Sequence, residues 1–207
     1  MTLKKQLAAL ALGLGLAAGA FAQAFPSKTV TLLVPFPPGG STDMIARTLQ
    51  PKLQERLGGT VVVDNKAGAT GTIGGAWVAK AAPDGFTVLG TSIGPQSIAP
   101  HLMARMPYDP LRDLEPVVLI GNIPHLLVVN VAHPFQSLAD LLAAAKATPG
   151  QIAFASGGNG TILQMQAELL SQRTGAKFIH VPYKGDTPAL QDTLAGQTHF
   201  MFAPVAA

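Results

Sequence analysis

The fold is decided by residues 29–57, whose sequence is TVTLLVPFPPGGSTDMIARTLQPKLQERL. The first six residues are apolar or β-branched and predict a strand that ends before Pro35. Apolar side chains then recur every four residues from Ile45 to Leu57, which predicts an amphipathic helix that Gly58 ends. A strand, a Gly-rich loop and a helix in this order are typical of a parallel β-α-β unit.

The same order of elements recurs along the chain. Further strands are predicted at residues 60–64, 86–89, 152–155, 177–181 and 198–202. Helices are predicted at residues 42–57, 77–81, 137–147, 161–173 and 188–194. Two β-rich runs, at residues 116–120 and 126–130, have no amphipathic helix between them and predict connecting strands. The pattern therefore predicts an α/β fold of two similar lobes, each a mostly parallel sheet with flanking helices.

The expected domain boundaries follow from this pattern. They are a signal peptide at 1–24, a first lobe at 25–121, a hinge of crossing strands at 122–131 and a second lobe at 132–207. The last predicted strand is followed by no helix that could cover it, although a parallel sheet has both faces buried. We therefore expect the second lobe to be incomplete.

The N-terminus has the three parts of a secretory signal. Lys4 and Lys5 precede the apolar stretch 7–20, and small residues allow cleavage after Ala22 or Ala24. That stretch is shorter than the ~20 residues that a membrane-spanning helix needs, so export with cleavage is predicted. The sequence has no cysteine, which excludes disulfides and a lipid-modified cysteine after the signal. Its net charge of +3 includes the two leader lysines and does not indicate a nucleic-acid surface.

Three Gly-rich loops are the most informative candidates for chemistry. Residues 39–40, 68–71 and 157–160 each follow a predicted strand and precede a helix. Ligands of open α/β sheets bind beyond the carboxyl ends of the strands, where helix N-termini present unpaired N–H groups and a partial positive charge. Each loop taken alone is equally consistent with a tight turn. Three of them on matching sheet ends favour a site for a small anion that needs no arginine.

An enzyme is the main alternative. Residues 90–94 (GTSIG) fit the nucleophile-elbow pattern and follow a strand, which leaves a serine esterase using Ser92 as a competing hypothesis. Against it, Pro95 and Pro100 fall where the helix of the elbow should run, and no Asp–His pairing is apparent.

The other enzyme-like patterns are weaker. Glycines 68–74 do not fit the dinucleotide fingerprint, and the histidines lack metal-ligand spacing. The sequence therefore predicts no catalytic residue, no cofactor and no metal site.

The pair Asp43 and Arg47 also needs an interpretation. The two residues lie four apart on the predicted first helix, so their side chains share one face. We expect a surface ion pair rather than a catalytic one.

A set of ordered motifs resembles a known family. The motifs are PSK at 26–28, VPFPPGGSTD at 34–43, NKAGATG at 65–71, AKAAPDGFT at 79–87, PYDP at 107–110, ASGGNGT at 155–161 and HVPYKG at 180–185. Together they closely resemble the substrate-binding receptors of tripartite tricarboxylate transporters, the Bug receptors. The resemblance runs from the signal to the last residue.

This resemblance implies a two-lobed periplasmic binding-protein fold of type II-like topology. The protein is then expected in the periplasm, as a monomer that closes over a small organic carboxylate and delivers it to a pair of membrane permease subunits. The residues that the resemblance places at the ligand are Pro38, Gly39, Gly40, Ser41, Thr42, Asp43, Thr91 and Ser92 on the first lobe, and Ser156, Gly158, Asn159, Gly160, Thr161, Tyr183 and Gly185 on the second.

Two departures from the family pattern leave the ligand open. Many relatives carry an Asp after the Met-Phe pair of the last strand, where this chain has Ala203. Family members are also longer, which implies a C-terminal truncation here. A soluble receptor that signals to a membrane sensor remains an alternative to a transport receptor, because the sequence does not separate the two roles.

Overall fold

The structure, a computed structural model, describes residues 25–205. Its strands are β1 (Val30–Val34), β2 (Val61–Asn65), β3 (Thr87–Leu89), β4 (His125–Val129), β5 (Ile152–Ser156), β6 (Phe178–Pro182) and β7 (Phe200–Pro204). Its α-helices are α1 (Ser41–Leu57), α2 (Thr72–Ala79), α3 (Ala99–Leu102), α4 (Leu138–Ala147), α5 (Ile162–Thr174) and α6 (Asp186–Leu194). The predicted signal peptide lies outside the described residues.

The first sheet is parallel and contains three strands in the order β2-β1-β3. Val30 lies opposite Val61, and Thr31 lies opposite Thr87. Helix α1 therefore connects the neighbouring strands β1 and β2, whereas α2 leads from β2 to β3 on the other side of β1. Leu32 and Val34 on β1 pack against Ala46 of α1 in a buried cluster. Gly58 ends α1 in the left-handed conformation that glycine adopts without a Cβ penalty.

The second sheet has the order β4-β7-β5-β6. Strand β5 runs parallel to both neighbours, whereas β4 pairs with β7 in the antiparallel direction. Its core contains Phe154, Phe200 and Leu141, each almost fully buried. The predicted fold class is confirmed: the chain folds into two α/β units, each with a mostly parallel sheet and flanking helices.

One predicted strand is wrong. Residues 116–120 form no strand and pair with none among residues 25–205. Their apolar side chains from Val117 to Ile120 are more than half exposed. The β-branched composition of this run reflects local propensity, but a strand also needs a partner for its backbone groups. The following run does form β4, which belongs to the second sheet.

Within residues 25–205, no helix combines the length and the apolar character needed to cross a bilayer.

Candidate functional site

The two α/β units meet through the loops at the carboxyl ends of their strands. The Thr70 hydroxyl, in the loop after β2, donates a hydrogen bond to the Asn159 carbonyl oxygen in the loop after β5, at 2.5 Å. A Cβ atom at position 185 would lie 2.8 Å from Cδ of Pro37, so only a glycine allows these loops to approach so closely. The Gly-rich loops of the two units therefore face each other, as their positions at the sheet ends predict.

Two cavities lie at this junction. The large cavity has a volume of about 720 Å³ and is bordered by Gly40, Ser41 and Thr42 on the first unit and by Thr161 on the second. The small cavity, of about 410 Å³, lies between residues 68–71 and the loop that contains Gly158. The large cavity falls within the ~300–1,000 Å³ range of small-molecule sites.

The N-terminus of α1 supplies free hydrogen-bond donors to the large cavity. The first helical hydrogen bond runs from the Met44 N–H to the Gly40 carbonyl at 2.9 Å, and no side chain caps this end. The N–H groups of Ser41 and Thr42, which line the cavity, donate to no residue of 25–205. These donors carry the positive end of the helix dipole, so this end of the cavity suits an anion.

Asp43 anchors the loop that precedes α1. Its carboxylate accepts hydrogen bonds from the Gly39 N–H at 2.9 Å, from Nε of Arg47 at 2.9 Å and from Nδ2 of Asn65 at 2.8 Å. Burial would raise the pKa of Asp43, but the bonds from Arg47, Gly39 and Asn65 outweigh it and lower the pKa. The prediction of a surface ion pair between Asp43 and Arg47 is wrong for Asp43. This residue is only 2% exposed, because its carboxylate is buried where it holds the loop through these hydrogen bonds.

The loop after β5 is held by hydrogen bonds within the second unit. The Gly158 N–H donates to Oγ of Ser156 at 3.1 Å, and the Thr161 hydroxyl donates to the Gly158 carbonyl at 2.8 Å. The Gly160 N–H donates to Oε1 of Gln164 at 2.8 Å. Gly158 has a φ of 123°, and a Cβ there would lie 3.0 Å from the Tyr183 carbonyl oxygen. Two of the amides predicted to face a ligand are therefore already occupied.

A hydrogen-bonded serine–histidine pair anchors the start of the loop after β5. Oγ of Ser156 lies 2.6 Å from Nε2 of His180, whose ring stacks on Phe154 with ring centroids 4.8 Å apart. Burial lowers the pKa of His180 and outweighs the opposing influence of Glu168. Ser156 is 0% exposed, and within residues 25–205 no carboxylate bonds to the imidazole. The pair therefore holds the loop and presents no accessible nucleophile.

Ser92 lies at the large cavity without a catalytic partner. Its hydroxyl makes no hydrogen bond to any residue that the structure describes, histidines included. The expectation that prolines prevent a helix here is wrong. A π-helical turn, Gly94–Ile98, and α3 both form, because Pro95 and Pro100 occupy first-turn positions, where the missing N–H costs nothing.

The predicted site residues fall into three groups. Those that line the large cavity are Gly40, Ser41, Thr42, Thr91, Ser92 and Thr161. Those that line the small cavity are Gly158, Asn159, Tyr183 and Gly185. Those that line neither cavity are Pro38, Gly39, Asp43, Ser156 and Gly160. Of the last group, Gly39, Asp43, Ser156 and Gly160 make hydrogen bonds that hold the two loops, which is a supporting role.

The sequence reasoning missed much of the apolar wall of the large cavity. Ile45, Ile162 and the segment 118–123 line it, together with the amide of Gln96. Ile45 belongs to the apolar stripe of α1, which gave no sign that its first member faces a cavity. The segment 118–123 was expected to be a strand and hinge, so its contribution to the wall was not predicted.

Residues 45–207 match the profile of the tripartite tricarboxylate transporter family receptor. The chain belongs to this receptor family. It is 45% identical over 183 residues to the protein BugT of Bordetella pertussis, an alignment that covers 88% of this chain and 56% of BugT. The chain therefore spans about half the length of the curated relatives it matches.

Solved structures of the receptor fold agree with this assignment. The structure of Rpa4515 from R. palustris with adipate has a TM-score of 0.85 and 35% identity, and it covers 87% of this chain and 60% of that chain. MatC from Rhodopseudomonas palustris with bound malate has a TM-score of 0.81 and 32% identity, with 87% and 61% covered. The prediction of a Bug-type receptor is thus confirmed at the level of family and fold.

Proposed function

We propose that this chain forms part of a periplasmic receptor that captures a small organic carboxylate and delivers it to a tripartite membrane transporter. The carrying observation is that α1 opens its unpaired N–H groups at Ser41 and Thr42 into a cavity shared with the second unit. Amides at a helix N-terminus bind carboxylates through charge-assisted hydrogen bonds. The receptor structures with adipate and malate support a carboxylate as the ligand class.

The two units act as lobes in this proposal. The first lobe is residues 25–121, and the second lobe is 132–207 together with β4, which pairs with β7. The hinge is then the part of 122–131 that precedes β4. The segment 118–123 lines the large cavity, so rotation about it would change the width of the cleft. Closure would exclude water, which strengthens each N–H···O contact by lowering the local dielectric. We further propose an exported monomer, cleaved after Ala22 or Ala24, that binds without turnover.

Replacing Ser41 with proline removes one ligand-facing N–H and leaves the helix intact. Ser41 is the first residue of α1, where proline is tolerated. Gly40 before it has φ −77° and ψ 167°, which is the extended conformation that a residue before proline prefers. The control is Ser41→Ala, which removes the hydroxyl and keeps the N–H.

The expected loss follows from the strength of one charge-assisted bond. At about 1.5–3 kcal/mol, losing it should weaken carboxylate binding about 10- to 150-fold in Ser41→Pro. Ser41→Ala should retain most of the affinity. Calorimetry with mono-, di- and tricarboxylates measures binding, and urea unfolding confirms that both variants are folded. Equal affinity in a folded Ser41→Pro variant contradicts the proposed grip.

The esterase alternative makes the opposite prediction at a different residue. A hydrolase would turn over an activated ester and lose that activity in Ser92→Ala, whereas a receptor shows no Ser92-dependent turnover. The same ester assay therefore separates the two functions.

A further inference from the structure

The residues that line the large cavity carry an unusual set of charges for a site that would bind ligands with several negative charges. Among the described residues that line it there is no lysine and no arginine, and Asp186 is the one residue with a formal charge at neutral pH. Burial lowers the pKa of the lining His125, so this imidazole does not supply a cation either. The positive potential of the cavity therefore comes from helix N-termini: α1 begins at Ser41, and the starts of α5 and α6 also border the cavity.

Asp186 is placed at the cleft without a partner. It is the first residue of α6 and lines the large cavity. Its side chain lies over Gly157, where a Cβ atom would come within 2.5 Å of Oδ1. Its carboxyl accepts no hydrogen bond from any residue that the structure describes, and burial raises its pKa. In its ionised form, a free carboxyl at this position repels a second anion, and in either form it accepts hydrogen bonds from a neutral donor.

Much of the rest of the cavity is apolar, although neutral polar side chains such as Thr91, Ser92 and Gln96 also line it. Leu32, Phe36, Ile45, Leu89, Ile162 and Leu163 form much of its wall. Ala203, at the position where many relatives carry an Asp, is a core residue in the same buried cluster as Leu163 and supplies no polar group to a ligand. A second ionised carboxylate held against the apolar part of this wall loses its hydration, and one held near Asp186 meets a like charge.

Building on the proposed function, we infer that the large cavity selects a monocarboxylate with an apolar body and that Asp186 disfavours ligands with a second carboxylate. The head group binds the N–H groups at the start of α1, and the hydrocarbon part packs against the apolar wall. The structures of Rpa4515 and MatC contain the dicarboxylates adipate and malate, so the inference predicts a ligand of a different class for this chain.

Matched ligand pairs test this inference on the full 207-residue chain. Hexanoate and adipate share a six-carbon chain, and benzoate and isophthalate share a ring, so each pair differs by one carboxylate. Calorimetry at pH 7.5 should show the monocarboxylate binding about 10-fold or more tightly than its partner in at least one pair. Malate and citrate complete the panel.

Two variants locate the effect at Asp186. Asp186→Asn removes the charge and keeps the shape, and it should shift the affinity ratio towards the dicarboxylate by about 5-fold or more. Glu55→Gln removes the same charge from an exposed pair with Lys52 and should leave the ratio unchanged.

The possible outcomes separate the two proposals. If malate, citrate or a dicarboxylate of the pairs binds as tightly as the monocarboxylates or more tightly, the specificity inference fails and the receptor function stands. The same holds if the ratio is unaffected by Asp186→Asn. If none of the six acids binds, the proposed function fails and the inference falls with it.

Discussion

Replacing Gly94 with alanine tests whether ligand capture depends on close approach of the two units. Gly94 begins the π-helical turn of the first unit. A Cβ atom there would lie 3.3 Å from the Gly160 carbonyl oxygen and 3.7 Å from Cα of Thr161, both in the second unit. The neighbouring backbone must then move by a few tenths of an ångström. These contacts join two separate units. Alanine therefore obstructs only the arrangement in which the units are close together, and it leaves the packing within each unit unchanged.

The magnitude follows from the size of the overlap. Overpacking of this kind costs about 1–3 kcal/mol, and one methyl group lies at the lower end, which predicts roughly 5-fold weaker binding for Gly94→Ala. A bulkier Gly94→Val should approach the upper end, about 100-fold. Replacing glycine with alanine at a compatible position stabilises a protein by about 0.4–1 kcal/mol through the unfolded state. Affinity and stability should therefore change in opposite directions.

Calorimetry with a bound carboxylate and urea unfolding without ligand measure the two effects. The control for affinity is Gly150→Ala, which lines neither cavity and where a Cβ would meet nothing within 4 Å, so the same substitution should leave binding unchanged although the φ of 74° there lowers ligand-free stability. Undiminished affinity in both Gly94 variants would refute the reasoning. So would a loss of ligand-free stability as large as the loss of affinity, since that places the damage inside the first unit.

Two further predictions concern buried titratable groups. Asp43→Asn should lower the unfolding free energy by about 1–3 kcal/mol, because the buried carboxylate bonds to Arg47 and two other donors. Because the pKa of Asp43 is lowered in the folded state, the stability difference between wild type and variant has its full value above about pH 4. It disappears as the pH falls through the lowered pKa. Burial also lowers the pKa values of His125, His180 and His199 below 6.5. As the pH falls, the unfolded chain therefore binds protons at these histidines before the folded chain does. Urea unfolding should therefore show full stability above pH 6.5 and declining stability below it, with a shallower decline in His180→Gln.

Controls for these two predictions come from the same chain. Asp64→Asn alters an exposed carboxylate next to Lys66 and should change stability little. His101→Gln replaces an exposed histidine of α3 and controls for the substitution of histidine by glutamine itself. A pH-independent difference for Asp43→Asn, or an unchanged slope in His180→Gln, contradicts the assigned protonation states.

The alternation of strands and helices could be predicted because local composition and tertiary burial agree in this chain. In β1 and β5 the apolar runs are the buried centres of parallel sheets, so the pattern and the fold impose the same choice. Residues 116–120 show where this fails. Their β-branched composition matches that of the true strands, but strand formation depends on a partner elsewhere in the chain, which local sequence does not encode.

The candidate site was predictable in position and less so in detail. Chain topology alone places the loops around Gly40 and Gly158 at facing sheet ends. Which amides remain free depends on side chains one helical turn away, such as Asp43 at the Gly39 N–H and Gln164 at the Gly160 N–H. Those pairings are fixed by rotamers within the folded units, so the glycine pattern could not distinguish a free donor from an occupied one.

The occupied amides have a consequence for affinity. The first loop is tied to α1 through Asp43, and the second is tied through Ser156 and His180 to its own sheet, so both loops are formed before a ligand arrives. Binding then orders little backbone, and each residue left unordered would have added about 1–2 kcal/mol of entropic cost. Because the supports lie within separate units, the units can move as rigid bodies without breaking them. A short row of free amides on α1 can therefore hold an anion, although none of the described residues that line the large cavity is a lysine or an arginine.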